Sequence, residues 1–201
     1  MLSQLDDTQS FKAQLASVVS APGADKVTVT MAKYGLCQLA RMESDYSRAR
    51  DLLGQVRGVF PGRDILDVDG AVIDMEAGQY AQAERAFLAA LQKNNRDLYA
   101  KFSLAKLYEL TGRDKAAEKY FREVSIELPE YAKVFFELGQ IASRANKNGV
   151  STFYLGKYYL YEGKIPLAEQ NFRIAARDKS LPREMAAEAK ELKKRLKELQ
   201  K

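Results

Sequence analysis

Three aspartates close together, Asp67, Asp69 and Asp74, are the residues of this chain whose type and spacing could do acid–base chemistry. Asp67 and Asp74 stand seven apart and share one face of a helix. A pair that cleaves a glycosidic bond needs one carboxylic acid held protonated and a second carboxylate facing it across a deep cleft. Nothing in the sequence around the three supplies either condition, and solvent exposure is the simpler expectation for them. Histidine is absent and Cys37 is the only cysteine. The usual zinc, haem and imidazole-dependent catalytic constellations therefore cannot be assembled from this polypeptide, and an internal disulfide is impossible. The expectation is a chain with no catalytic residue, no metal ligands and no cofactor.

A second charged group, Lys190, Lys193, Lys194, Arg195 and Lys197, could attract phosphates, but Glu184, Glu188, Glu191 and Glu198 are interleaved with it. Mixed signs blunt that attraction and no aromatic side chain offers a stacking platform, so a solvated helix face is expected rather than a nucleic-acid partner. The net charge of +5 adds little to this. No apolar run approaches the roughly 20 residues that span a bilayer, so membrane insertion is not expected. With 46% hydrophobic residues and 5 prolines, the chain has ample core material and long stretches free to be helical.

What positions these groups is a repeat. Residue types return at a shift of 34 without a gap: Ala49, Ala83 and Ala117, then Leu53, Phe87 and Phe121, then Val56, Ala90 and Val124. Spacings of four and three put each trio on one helical face. Pro61, Asn95 and Pro129 close these helices, and Ser44, Gly78 and Gly112 mark a turn before them. The preceding helices repeat the pairs Leu36-Cys37, Gly70-Ala71, Leu104-Ala105 and Leu138-Gly139, where a small residue allows close approach. Cys37 is thus expected to be a packing residue.

The pairs, Tyr108, the turn glycines, the small alanine, the aromatic and the closing proline together resemble the tetratricopeptide repeat family over about residues 30 to 182. That resemblance implies an all-α fold: a right-handed superhelical stack of antiparallel helix pairs with terminal capping helices. The expected organisation is an N-terminal helix and linker over 1–25, repeats over 26–182 and a capping helix over 183–201. The repeats run about 30–63, 64–97 and 98–131, with irregular last repeats over 132–182. In the N-terminal helix Phe11, Leu15 and Val18 form the apolar side, and in the C-terminal one Met185, Ala189, Leu192, Leu196 and Leu199 do.

The register slips after the third repeat. Ser151 and Leu155 fit a second helix following Leu138-Gly139, whereas Leu155-Gly156 and Tyr159 fit a first helix. Gly163, Ala168, Phe172 and Ala175 then match a second helix displaced by 17 residues, half a repeat. Such a slip predicts an exchange of inner and outer walls and a break in the groove near Asn146 to Gly149. Tyr154, Tyr158, Tyr159 and Tyr161 with Phe153 surround this helix and read as core packing.

In the resembled family the first helices line a concave wall, and the register assigns four rows to it. Met31, Ile65, Tyr99 and Lys133 form one, and Tyr34, Val68, Phe102 and Phe136 the next. The third is Gln38, Val72, Lys106 and Gln140, and the fourth Arg41, Met75, Glu109 and Ser143. An apolar strip edged by polar groups suits a peptide or protein partner. A groove covered by the chain's own terminal helices or by an attached domain, and a purely oligomeric role, remain alternatives. The rows carry no cluster of cations of the kind that clamps a peptide carboxylate.

A narrower resemblance rests on Gly149-Val150-Ser151-Thr152-Phe153-Tyr154-Leu155-Gly156-Lys157-Tyr158-Tyr159 and on the Gly163 to Phe172 segment. These residues are similar to the C-terminal repeat part of periplasmic BepA-like zinc metalloproteases. The resemblance implies a substrate-recognition or regulatory segment of a protease acting in outer-membrane protein quality control. A cognate or attached metalloprotease domain would be a partner and the location periplasmic; without it, cytoplasmic. The family's His-Glu-x-x-His zinc helix has no counterpart in a chain without histidine.

Overall fold

Apolar positions recurring every third and fourth residue, broken by turn formers, can bury their side chains only if successive helices fold back on one another. The computed structural model describes the backbone of residues 2–199 and the side chains of 7–198 other than 197, and among them it has eleven helices and no strand. In chain order these are α1 (Leu2–Ser20), α2 (Lys26–Met42), α3 (Tyr46–Val59), α4 (Asp64–Glu76), α5 (Tyr80–Lys93) and α6 (Leu98–Leu110). They continue with α7 (Asp114–Glu127), α8 (Ala132–Arg144), α9 (Asn148–Tyr161), α10 (Ile165–Ala175) and α11 (Arg183–Leu199). The helices group into two compact units, Met1–Ala100 and Lys101–Lys201.

In the first unit α2 pairs with α3 and α4 with α5, and α1 packs along α2. Asp25 starts α2 by accepting hydrogen bonds from the Val27 and Thr28 amides, which satisfies two N–H groups that a helix start leaves unpaired. The core is built from the recurring face: Ala49, Leu53, Val56, Ala83, Phe87 and Ala90 are all buried. Each buried Leu or Phe contributes about 1.5–3 kcal/mol of transfer free energy. Cys37 lies in this core with its thiol donating to the Ala49 carbonyl at 3.2 Å. Burial pushes that thiol's pKa up, and the residue packs as the repeat pattern requires. On α1 the expected apolar side is only partly buried. Leu15 covers Gly35, whereas Phe11 stays exposed and Lys12 pairs with Glu43.

In the second unit Ala117, Phe121 and Val124 of α7 are buried, and so are Ala168, Phe172 and Ala175 of α10. The half-repeat displacement is written in the backbone. Positive φ angles occur at Ser44, Gly78, Gly112 and Asn146, 34 apart, and then at Gly163, 17 further on. Gly163 and its counterparts at 78 and 112 adopt that conformation without steric cost, while Ser44 and Asn146 hold it with a side chain.

Helix α9 packs along its length on both α8 and α10. Its Leu155 and the Ser151 carbonyl border Gly139 of α8: a methyl placed on Gly139 would lie 3.4 Å from Leu155 Cγ and 3.5 Å from that oxygen. Its Gly156 receives the Phe172 ring, where a methyl would meet Cε1 at 2.6 Å. One helix thus supplies a second-helix face to α8 and a first-helix face to α10, as the doubled motif predicts. The tyrosine cluster packs accordingly: Phe135 stacks on Tyr154 and Tyr161 at 6.3 and 5.5 Å, and Phe153 lies 6.3 Å from Phe172. Helix α11 closes on α10 through buried Ala189 and Leu196. The Lys197 and Leu199 side chains lie outside the described residues.

Candidate protein-interaction surface

The first helices of the unit Met1–Ala100 present one register row openly. Met31 of α2, Ile65 of α4 and Tyr99 of α6 are 53%, 56% and 36% exposed. Side chains of this size are ordinarily covered when they fall in line on successive elements. The rows beside it differ from expectation. Val68, Val72 and Met75, read from the sequence as groove lining, are buried. All eight residues from Leu66 to Met75 other than Asp67 and Gly70 are buried on α4, so this helix is wrapped on several sides and only Ile65, near its start, reaches the surface row.

Asp69 and Asp74 also depart from the sequence expectation, which left all three aspartates in solvent; only Asp67 is exposed. Asp69 is 3% exposed and accepts from Tyr34 Oη at 2.8 Å and Tyr99 Oη at 2.9 Å. Its carboxylate ties α2 and the start of α6 to α4. Burial, reinforced by Asp69, raises the pKa of both phenols, so the hydroxyls keep their protons and remain donors. Asp74 is held by Arg50 and by Gln82 Nε2 at 2.8 Å. Both carboxylates are satisfied structural groups, and neither is aimed at a second acid.

Three charged residues of the remaining rows, Arg41, Lys106 and Glu109, are paired. Arg41 meets Glu76 at 3.2 Å, and burial raises the Glu76 pKa against that pairing. Gln38 is half-buried. In the unit Lys101–Lys201, Lys106 lies 2.7 Å from Glu109 and 3.1 Å from Glu137. Arg144 bridges Glu109 and Asp114, both at 2.9 Å. Burial pushes the Glu137 carboxyl up, opposed by Lys106. Phe102 is half-buried, packing edge-on against Phe121 and Tyr131 at 5.3 and 5.4 Å. Phe136 is 36% exposed beside Tyr158, and Gln140, Lys133 and Ser143 face solvent. Exposed apolar side chains and paired charges, each within its own unit, suit side-chain capture rather than bond breaking. Sequence reasoning missed the Tyr34–Asp69–Tyr99 link, whose only sequence signal is an aspartate on the otherwise apolar face of α4.

No helix among the described residues is long and apolar enough to cross a membrane. A profile of the tetratricopeptide repeat family matches residues 74–135, and no curated protein sequence matches the chain. Among solved structures, PilW, described as a widely conserved type IV pilus biogenesis factor, is similar at a TM-score of 0.64 and 15% identity over 93% of this chain and 86% of its own. YrrB, described as a TPR protein with an unusual peptide-binding site, is similar at a TM-score of 0.53 and 18% identity over 84% and 86%. MamA from Desulfovibrio magneticus RS-1 is similar at a TM-score of 0.55 and 13% identity over 85% and 94%. The chain thus carries a match to the tetratricopeptide repeat family over residues 74–135 within an all-helical fold of the kind that tetratricopeptide repeat proteins have.

Proposed function

We propose that the chain is a non-catalytic protein-interaction module that takes a peptide or a segment of a partner protein along the first helices of its repeats. The observation that carries this reading is the exposure of Met31, Ile65 and Tyr99 at one register position on α2, α4 and α6. Side chains of this kind anchor interfaces when they are surrounded by neutralised polar groups. The likeness to YrrB, whose description names a peptide-binding site, supports the same use of the fold.

A photo-reactive amino acid placed at residue 65 in the living source organism tests it. The expected outcome is a discrete adduct, identifiable by mass spectrometry, that Met31→Glu abolishes and that the same probe at exposed Ile126 of α7 does not form. Equal adducts from residues 65 and 126, or none from residue 65, would sink the proposal. Adducts consisting of the chain with itself would replace partner capture by oligomerisation.

The metalloprotease reading is a more specific version of this proposal and rests on the Gly149–Tyr159 and Gly163–Phe172 residue pattern alone. It places the chain in the periplasm as the recognition part of a zinc metalloprotease. An adduct with a protease domain or with outer-membrane assembly components would support it, and an adduct with cytoplasmic proteins only would exclude it.

A further inference from the structure

The basic run of the C-terminal helix is not a uniformly mixed face once α10 is beside it. A recess of about 410 Å³ between α10 and α11 is lined by Arg173, Ala176, Arg177, Lys190, Lys193 and Lys194. Five of these six are cations, two from the end of α10 and the turn after it and three from α11. Two of the glutamates that dilute the run in the sequence pair with cations outside the recess, and a third only brushes it. Glu191 pairs with Arg195 at 2.9 Å, Glu188 with Lys157 of α9 at 2.9 Å, and Glu198 reaches Lys194 only at 4.0 Å.

A cation at the C-terminal end of a helix is favoured by the helix dipole, which accounts for Arg173 and Arg177 at the end of α10. That argument does not reach Lys190, Lys193 and Lys194, which sit in the middle of α11. Like charges gathered at one place raise the local positive potential and favour an incoming anion, the more so at low salt.

We infer that the α10–α11 recess is a docking site for an acidic segment of a partner protein, a run of Asp or Glu side chains entering between the two helices. Charge complementarity selects an anion, and the geometry selects among anions. The cations rim an open depression whose floor is mostly apolar, so a flexible chain can rest its carbon atoms on the floor while separate carboxylates reach the cations at the rim, which the plane of a lipid surface does not do. The recess lining has no aromatic ring on which a base could stack. This surface is independent of the Met31–Ile65–Tyr99 row, and either can fail without the other.

The test uses the full chain and a fluorescein-labelled peptide of eight consecutive glutamates, followed by anisotropy. Binding is expected at low salt and should weaken about tenfold or more when salt is raised from about 50 to 200 mM, as several ionic contacts require. Arg177→Glu with Lys193→Glu should abolish binding while circular dichroism retains the helix content. Arg177→Gln with Lys193→Gln should give an intermediate loss, which keeps the test sound if charge reversal perturbs α11. Ile65→Glu should leave this binding unchanged. Absence of binding, binding indifferent to the four substitutions, or tighter binding of a DNA duplex or of phosphatidylglycerol vesicles than of the peptide would each overturn the inference.

Discussion

Replacing Asp69 by leucine should change sign in its effect according to what the two tyrosines carry. In the native chain Asp69→Leu leaves Tyr34 Oη and Tyr99 Oη without the acceptor that each reaches at 2.8–2.9 Å. An unsatisfied buried donor costs about 1–3 kcal/mol. Because both phenols are partly open to water, the lower part of that range applies, giving a loss of about 2–4 kcal/mol for the pair. With Tyr34→Phe and Tyr99→Phe already in place, no hydroxyl is orphaned and the substitution removes a carboxylate that is 3% exposed. Replacement of a buried charge by an apolar group of similar size is then neutral or stabilising. The coupling between Asp69 and the tyrosine pair is thus expected to be about 2 kcal/mol or more. Urea unfolding followed by helical ellipticity, with the slope compared between variants to verify the same transition, measures it. Equal costs of Asp69→Leu in the two backgrounds, within about 0.5 kcal/mol, would refute the reasoning.

The same two phenols predict an alkaline limit. Their folded pKa values are raised above the ordinary 10.0, so the unfolded chain releases these protons first and the folded chain holds more of them. Stability from this source is complete below pH 10 and declines as pH rises through the ordinary value toward the folded ones. Tyr34→Phe with Tyr99→Phe should flatten that decline in unfolding curves taken from pH 9 upward. Cys37, buried with its thiolate disfavoured, should resist thiol reagents in the native chain and react at once in denaturant; fast native reaction would count against its burial. Phe172→Ala should cost about 3–5 kcal/mol, since the ring fills the notch at Gly156. Gly156→Ala should also destabilise despite alanine's better helix propensity, by about 1–2 kcal/mol, because its methyl needs space held by a fully buried ring.

The pairing of helices was legible in the sequence because it depends on local repetition. Ala49, Ala83 and Ala117 recur with the bulky residue four positions on, and all of them are buried. Helix α9's double role was legible for the same reason: Leu155-Gly156 carries two overlapping motifs, and each side of it meets the helix its motif predicts. Burial of Asp69 and Asp74 was not. Their partners come from positions 24 to 35 residues away for Arg50, Tyr99 and Tyr34, and a one-dimensional pattern does not say which side chain will stand opposite. Val68, Val72 and Met75 were placed on an open wall because a register row fixes direction around a helix axis but not the depth at which that helix sits. The α10–α11 recess was hidden too, since its cations are alternated with glutamates along one helix and are segregated only when a neighbour contributes two arginines.

A helix shared by α8 and α10 has a consequence for how this end of the chain comes apart. Helix α9 cannot leave α8 without uncovering Gly139, nor leave α10 without uncovering the Phe172 ring at Gly156. Residues 132–175 are therefore tied into one melting block, in which amide protons of α8, α9 and α10 should exchange together. Such a block trades the piecemeal fraying of ordinary repeats for all-or-nothing opening.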